Sequence, residues 1–280
     1  KALIPADFDD NTRITKLAVS AIQARVALYE KNWDNAITYA TEVINGLPLV
    51  SRAGFPDMWH EETAGEVIWK LKRVASDEET PLGNLYTQAT FLDDPAGSRV
   101  YYAASHELTN LFDKANDIRF SSYIVIDPGR ETAGKMANVV IKYTSDDPDN
   151  RNLVDIKLFR TGEMYLVRSE AYAEKNDLPS AADDLNDLRA ARISGYAPVS
   201  FGSKDALIEA LQAERFKELA FEGHRHHDLR RWGLPITRLP EDAINALGAV
   251  LLPPTKAQYT WPIPNSELRA NKNLKQNPGY

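Results

Sequence analysis

Cysteine is absent from all 280 residues, which excludes disulfides and thiolate zinc sites outright and leaves the compartment open. Basic residues are outnumbered, 33 Lys and Arg against 40 Asp and Glu, for a net charge of −7. With no basic excess or basic stripe, nucleic acid is not an expected partner. No stretch approaches the roughly 18 consecutive apolar residues that a membrane-spanning helix needs. No Gly-x-Ser-x-Gly elbow, Walker loop or dinucleotide fingerprint occurs, so the chain offers no motif for an enzyme and none for a cofactor. An initiator methionine and a signal peptide are also missing from the opening Lys1-Ala-Leu-Ile-Pro5, which reads as the start of a piece of a longer polypeptide.

What is present is an ordinary globular composition, 43% hydrophobic and 26% charged, long enough to bury a substantial core. Asn11 or Thr12 is placed to cap a first helix striped by Ile14, Leu17, Ala18, Ala21 and Leu28. Asn32 caps a second, with Trp33, Ala36, Ile37, Ala40 and Ile44 inward and Gly46 and Pro48 at its end. So short a turn makes the pair an antiparallel hairpin. The device returns with Met164, Val167, Ala171 and Tyr172 on one helix, Asp177 as cap, and Ala181, Ala182, Leu185 and Leu188 on the next. A shift of 145 positions lays Ala24 on Ser169, Trp33 on Leu178 and Ala36 on Ala181. Small residues at matched places allow close helix contact, a pattern similar to tetratricopeptide repeats. The fold class expected is mainly α, tetratricopeptide-like hairpins around a loop-rich insertion with a few short strands.

The insertion spans 48–160. Glu66-Val-Ile-Trp-Lys-Leu-Lys72 alternates as a strand does, Val139-Val-Ile-Lys-Tyr143 is a second short candidate, and Ser105 to Lys114 carries a helix signal. Beyond the second hairpin, one helix is expected from Asp205 to Trp232 and a short one from Glu241 to Leu247, before a tail rich in proline and asparagine that needs docking to be ordered. On the long helix, Phe216, Leu219, Ala220, Gly223 and His227 share a face. Glu222 can meet Arg225, and Arg225 can meet Asp228, across one turn.

Three groups of residues invite a chemical reading. His224, His226, His227 and Asp228 include a possible ligand pair, but without the glutamate of a zinc hydrolase motif they are expected to pack as aromatics rather than hold metal. The aspartates at 93–94, 146–149 and 183–184 read as solvated turns, with no EF-hand glycine or distal glutamate and no means of placing two carboxyls across a cleft. The aromatics of the insertion are the third group. Sugars present C–H faces that stack on flat rings, with hydroxyls left for polar neighbours. Trp69 belongs to a strand and to the core; Tyr86, Phe91, Tyr101 and Tyr102, with Arg99, flank loops and are the candidate ligand-binding residues.

Five blocks carry a family resemblance: Thr12 to Ile44, Glu66-Val-Ile-Trp69, Glu163 to Arg192, Glu214 to Gly233, and Trp261-Pro-Ile-Pro264 running on to Leu274-Lys-Gln-Asn-Pro-Gly-Tyr280. In that order they resemble the carboxy-terminal portion of the SusD/RagB family. His226 and His227 depart from the pattern, since relatives usually carry aromatic residues there. The resemblance implies one SusD-like domain over 1–280 without its amino-terminal part, arranged as hairpin (1–47), insertion (48–160), and hairpin, long helix and docked tail (161–280). It also implies an intact protein tethered to the outer membrane by a lipid anchor absent from this chain, which captures oligosaccharides without catalysis. The protein would pass them to a SusC-like TonB-dependent transporter. The alternatives are a peptide-binding or protein-interaction scaffold built on the helical repeats, and a glycoside hydrolase with two facing carboxylates.

Overall fold

The computed structural model describes the chain apart from residues 1–3, 7–9, 62, 75–81, 87–99, 145–152 and 244–245. Its helices in chain order are α1 (Lys16–Tyr29), α2 (Trp33–Gly46), α3 (Phe55–Trp59), α4 (His106–Thr109), α5 (Ile118–Tyr123) and α6 (Pro128–Thr132). There follow α7 (Thr161–Glu174), α8 (Leu178–Arg192), α9 (Lys204–Glu218), α10 (Arg225–Trp232) and α11 (Asn265–Ala270). The strands are short: β1 (Val67–Leu71), β2 (Ile124–Ile126), β3 (Asn138–Val140), β4 (Ile156–Arg160), β5 (Ile236–Thr237) and β6 (Leu251–Leu252). The fold is thus mainly α with a few short strands, as the sequence pattern requires. It divides into two compact units, one of residues 1–104 with 108–222 and one of 105–107 with 223–280.

The two hairpins of the first unit turn in the same way. Lys31 (φ 57°) and Asn176 (φ 62°), which the repeat aligns, both take the left-handed conformation. The next residues, Asn32 (φ −87°, ψ 80°) and Asp177 (φ −88°, ψ 74°), cap α2 and α8 by accepting from the amides of Asn35 and Ser180. The cap of α1 lies further along than expected. Thr15 accepts from the Ala18 amide, while Thr12 is occupied in bonding the Asp10 carboxylate. Ala18, Ala21, Ala24, Ala36 and Ala40 are fully buried, so backbones in the first hairpin approach closely, and α2 then packs on α7, which packs on α8 and α9.

β1 and β4 pair antiparallel, Trp69 opposite Phe159, tying the exit of the first hairpin to the entry of the second. The Trp69 ring stacks on Phe159 at 6.2 Å and its N–H donates to the Thr12 carbonyl. The helix expected over Ser105–Lys114 is one turn, His106–Thr109, and further on the Asp113 carboxylate accepts from the amides of Ala115 and Asn116 in a separate turn. The second strand is Asn138–Val140, paired with β2.

Where α7, α8, α9 and the β1–β4 pair converge, the interior is ionic. Glu66 accepts from Arg192 at 2.7 Å, from Arg160 at 3.2 Å and from the amides of Val50 and Gly162 at 3.0 Å. Glu218 accepts from Arg119 at 2.8 Å, Arg192 at 3.0 Å and Arg160. All five side chains are buried. Burial pushes the Glu218 carboxyl up, and the three guanidiniums overcome it and hold it well below the ordinary carboxylate range. Gly162 is required by this crowding: a Cβ there would stand 2.5 Å from Glu218 Oε1 and 2.7 Å from an Arg160 nitrogen.

The helix expected from Asp205 to Trp232 is two helices. α9 ends at Glu218, where side chains of the insertion take the Glu218 carbonyl and those of two residues just beyond it. Arg160 and the Tyr123 hydroxyl donate to the Glu218 carbonyl, Lys142 to that of Ala220 at 2.7 Å, and the Tyr143 hydroxyl to that of Phe221 at 2.8 Å. Phe221 is left-handed (φ 66°), a cost of about 1–2 kcal/mol held by those contacts. The face foreseen for one helix therefore does not continue. Leu219 and Ala220 are buried, Gly223 and His227 are exposed, and α10 buries Asp228 and Leu229 instead. The charges also pair differently: Glu222 with Lys142 and Arg160, Asp228 with Arg231, Arg225 with Glu107.

In the second unit β5 and β6 form a small antiparallel pair, and the short helix foreseen over 241–247 is a 3₁₀ turn at Pro240–Asp242, with 244–245 outside the described residues. The tail is ordered by its own side chains, Gln276 bonding both the amide and the carbonyl of Ile263. Among the described residues no helix is long and apolar enough to cross a membrane.

Candidate functional site

The insertion is held together by rings. Phe55, Trp59, Tyr123 and Tyr143 are buried and meet largely edge to face, Trp59 to Tyr123 at 5.6 Å and Trp59 to Tyr143 at 6.3 Å. Lys142 is enclosed by the Trp59 and Tyr123 rings, its Nζ 4.0 and 3.9 Å from their centres. Burial pulls its pKa down from 10.5 to about 7, with Glu222, 2.7 Å away, pulling the other way.

From this core the rings step outward. Tyr143 stacks on Tyr86 at 5.6 Å, Tyr86 meets Phe221 edge-on at 5.5 Å, and Tyr102 meets Tyr86 edge-on at 6.3 Å. The left-handed backbone at Phe221 helps direct its ring at Tyr86. Tyr86 ends a 3₁₀ turn (Leu82–Leu85) and is half-buried, and burial, with Tyr102 beside it, raises its hydroxyl pKa. Tyr101 and Tyr102 are 59% and 62% exposed. They precede Ala103, which bridges to Val139, and Ala104, whose amide and carbonyl are both bonded to Asn138, so β3 anchors the backbone that carries them. The result is a ladder with two rings in water and a half-buried ring braced from behind.

Of the five residues the sequence singles out, Tyr86 and Tyr102 are brought into contact and Tyr101 adjoins them, whereas Phe91 and Arg99 lie outside the described residues. Two cavities of about 410 and 420 Å³ occur elsewhere in the first unit, one beside Thr15, Gly46 and Ile68, the other beside Leu178, Asn186 and Phe201. Neither takes one of these tyrosines in its lining. The histidines of α10 pack as rings: His226 lies 6.1 Å from Tyr259, and His227 meets His226 at 5.7 Å.

The ionic centre was not foreseen from sequence, although Glu214 and Glu218, one helical turn apart on an otherwise apolar face of α9, are its signal. Its five buried charged groups pair with one another and with Asp117, Glu214 and Glu222, so it serves the frame.

A family model described as the SusD family matches residues 134–280. SusD-like protein P25 of Formosa agariphila is 24% identical over 97% of this chain and 60% of its own length. The starch-binding protein SusD of Bacteroides thetaiotaomicron is 34% identical over 45% of this chain and 22% of its own. Among solved structures, a SusD superfamily protein of Bacteroides thetaiotaomicron superposes with a TM-score of 0.78 at 26% identity, over 96% of this chain and 61% of that one. A putative sugar binding protein of Bacteroides vulgatus gives 0.79 at 26%, over 100% and 62%. The chain spans about three fifths of the length of SusD-like protein P25 and of the two solved chains. With more than half its residues matched to that family's model and nearly all of its backbone superposable on solved members, the chain belongs to the SusD family.

Proposed function

We propose that this chain is the ligand-gripping part of a non-catalytic protein that captures oligosaccharides at the cell surface. Tyr101 and Tyr102 stack on pyranose faces, Tyr86 stiffens the step, and Phe91 and Arg99 of the same segment complete the grip. The carrying observation is the pair of exposed tyrosines next to the β3 anchor, with Tyr102 backed by a ladder of rings through Tyr86 and Tyr143. Fixed rings lose little freedom on binding, so nearly all of the stacking energy is realised. Stacking of about 1 kcal/mol per ring on exposed tyrosines gives weak binding for a short sugar. A starch-binding relative and a sugar-binding structural neighbour support the ligand class.

In the intact protein a lipid anchor outside this chain holds the platform at the outer membrane, where it delivers the glycan to a SusC-like TonB-dependent transporter. Calorimetry against a panel of polysaccharides tests the first part: at least one binds, and Tyr101→Ala with Tyr102→Ala weakens it about tenfold with thermal unfolding unchanged. A panel that is silent while peptides bind ends the carbohydrate reading. Delivery is tested by co-purifying the intact protein from outer-membrane extracts, where a large β-barrel is expected alongside it; its absence removes the transporter from the proposal.

A second reading, peptide capture by the helical repeats, has one observation in its favour. The 420 Å³ cavity beside α8 is lined largely by Leu178, Pro179, Ala182, Pro198, Val199 and Phe201. Peptide binding abolished by Ala182→Arg would favour it over the tyrosine platform.

A further inference from the structure

The second unit exposes a tryptophan on a backbone that its own tail side chains hydrogen-bond. Trp261 is 77% exposed, while Trp33, Trp59, Trp69 and Trp232 are buried or half-buried. Its chain segment is stapled by the tail as a neighbouring strand would hold it. Tyr280 Oη donates to the Thr260 carbonyl at 2.8 Å and Asn277 Nδ2 to the Trp261 carbonyl at 2.7 Å. Gln276 bonds Ile263 on both its amide and its carbonyl, at 2.8 and 2.9 Å. Pro262 and Pro264 remove further freedom. A frame this well braced could present a polar residue at no cost, yet it holds an indole in water.

The surroundings of that indole are specific. The His226 ring lies 6.4 Å from it at 52°, so the two rings form an angled wall, and His227 continues it 5.7 Å further on. Burial lowers the His226 pKa, helped by His227 and then Arg230, so near neutral pH the ring is uncharged, with one nitrogen donating and the other accepting. Arg230, exposed one turn along α10, adds a fork of donors. A flat apolar face next to a neutral donor–acceptor pair and a guanidinium is the complement of a pyranose, which offers a C–H face and a rim of hydroxyls.

We infer that Trp261, with His226, His227 and Arg230 beside it, forms a second carbohydrate-stacking platform that takes one or two pyranose units. The inference rests on the carbohydrate reading for its ligand class and not on the tyrosine platform. Trp261 is the most exposed of the five tryptophans, so an emission change that is lost in Trp261→Ala reports its occupancy. Titration of the full chain with the same polysaccharides is expected to shift tryptophan emission. In Trp261→Ala the shift disappears and calorimetric affinity falls roughly five- to tenfold, while thermal unfolding is unchanged. Trp261→Phe retains most of the affinity, and His226→Ala weakens it with the shift reduced. The Tyr101→Ala, Tyr102→Ala double variant keeps the emission shift, which separates the two platforms. Calorimetric binding without an emission change, and with Trp261→Ala binding as well as the parent, overturns the second platform and leaves the first intact. A panel with no binding at all overturns both.

Discussion

The two helical hairpins share a turn down to a few degrees and bury quite different things. The first, α1 and α2, closes on alanines, all fully buried and all able to pack wherever their helices meet. The second, α7 and α8, carries Glu163, Glu170, Asp184 and Arg192 in its interior, Asp184 lying within α8 and paired with Arg168 instead of in the solvated turn expected of it, and where the first has Ala24 the second has Ser169, whose hydroxyl donates to the Ala181 carbonyl at 2.7 Å. The turn is local chemistry, a left-handed residue followed by an Asn or Asp cap, so repeating the residues repeats the geometry. The interior is decided by neighbours. α7 is sandwiched between α2 and the α8–α9 side, with β4 running into it, and its start meets the arginines of β4 and α8. A buried ionic centre is poor evidence of net stability, because desolvating the charges offsets most of their attraction. Breaking it by removing one partner is expensive.

The largest effect is expected at Glu218. Replacing the carboxylate that three arginines share, Glu218→Gln, costs about 3–5 kcal/mol, a large fraction of a domain's stability. Ala24→Gly, equally buried in the first hairpin, costs about 1 kcal/mol. Denaturant titrations of the two variants compare the interiors, and equal losses would erase the distinction.

Acid comes next. Burial pushes the Glu214 carboxyl up, but Arg119, Lys217 and Arg189 overcome it and pull it from 4.5 down to about 2. A depressed carboxylate stabilises the fold above its unfolded pKa. The parent should therefore exceed Glu214→Gln by roughly 3 kcal/mol above pH 4.5, and that margin should shrink as pH falls toward 2. A margin that is flat from pH 5 to pH 2 would mean the charge of Glu214 is not what stabilises.

The shared turn predicts equality instead. Asn32→Ala and Asp177→Ala should each lower stability by about 1 kcal/mol, by the same amount within a few tenths. A large inequality in thermal unfolding would show that the caps are coupled to the interiors after all. The smallest effect separates the turns by residue type: Lys31→Gly should gain up to about 1 kcal/mol by relieving a left-handed lysine, and Asn176→Gly distinctly less, since asparagine tolerates that conformation.

The hairpins, their caps at Asn32 and Asp177 and the strand around Trp69 were legible in sequence because each rests on residues within one or two turns of one another. The reading failed at Phe221. Nothing near Glu218 forbids a helix, and Gly223 alone does not stop one; Arg160, Lys142 and Tyr143, some 60 to 80 residues away, take the carbonyls that would have continued it. The same limit holds for the platform. Sequence picked out Tyr86 and Tyr102 as aromatics flanking loops, but that one rests on the other, and that Tyr143 and Phe221 stand behind them, depends on a β-bridge at Ala103 and a helix end at Glu218. Trp261 was visible only as part of a motif, and its exposure is a property of the folded tail.

By itself the amino-acid order determined periodic quantities: which faces are apolar, where hairpins turn, which residues cap, and which chemistries the absence of cysteine and of a basic excess rules out. Tertiary structure alone decided where charges meet and which rings stay in water. Coulombic pairing and solvent exposure depend on distance in space, and residues such as Glu66, Arg160 and Glu218 become neighbours only once the helices have packed.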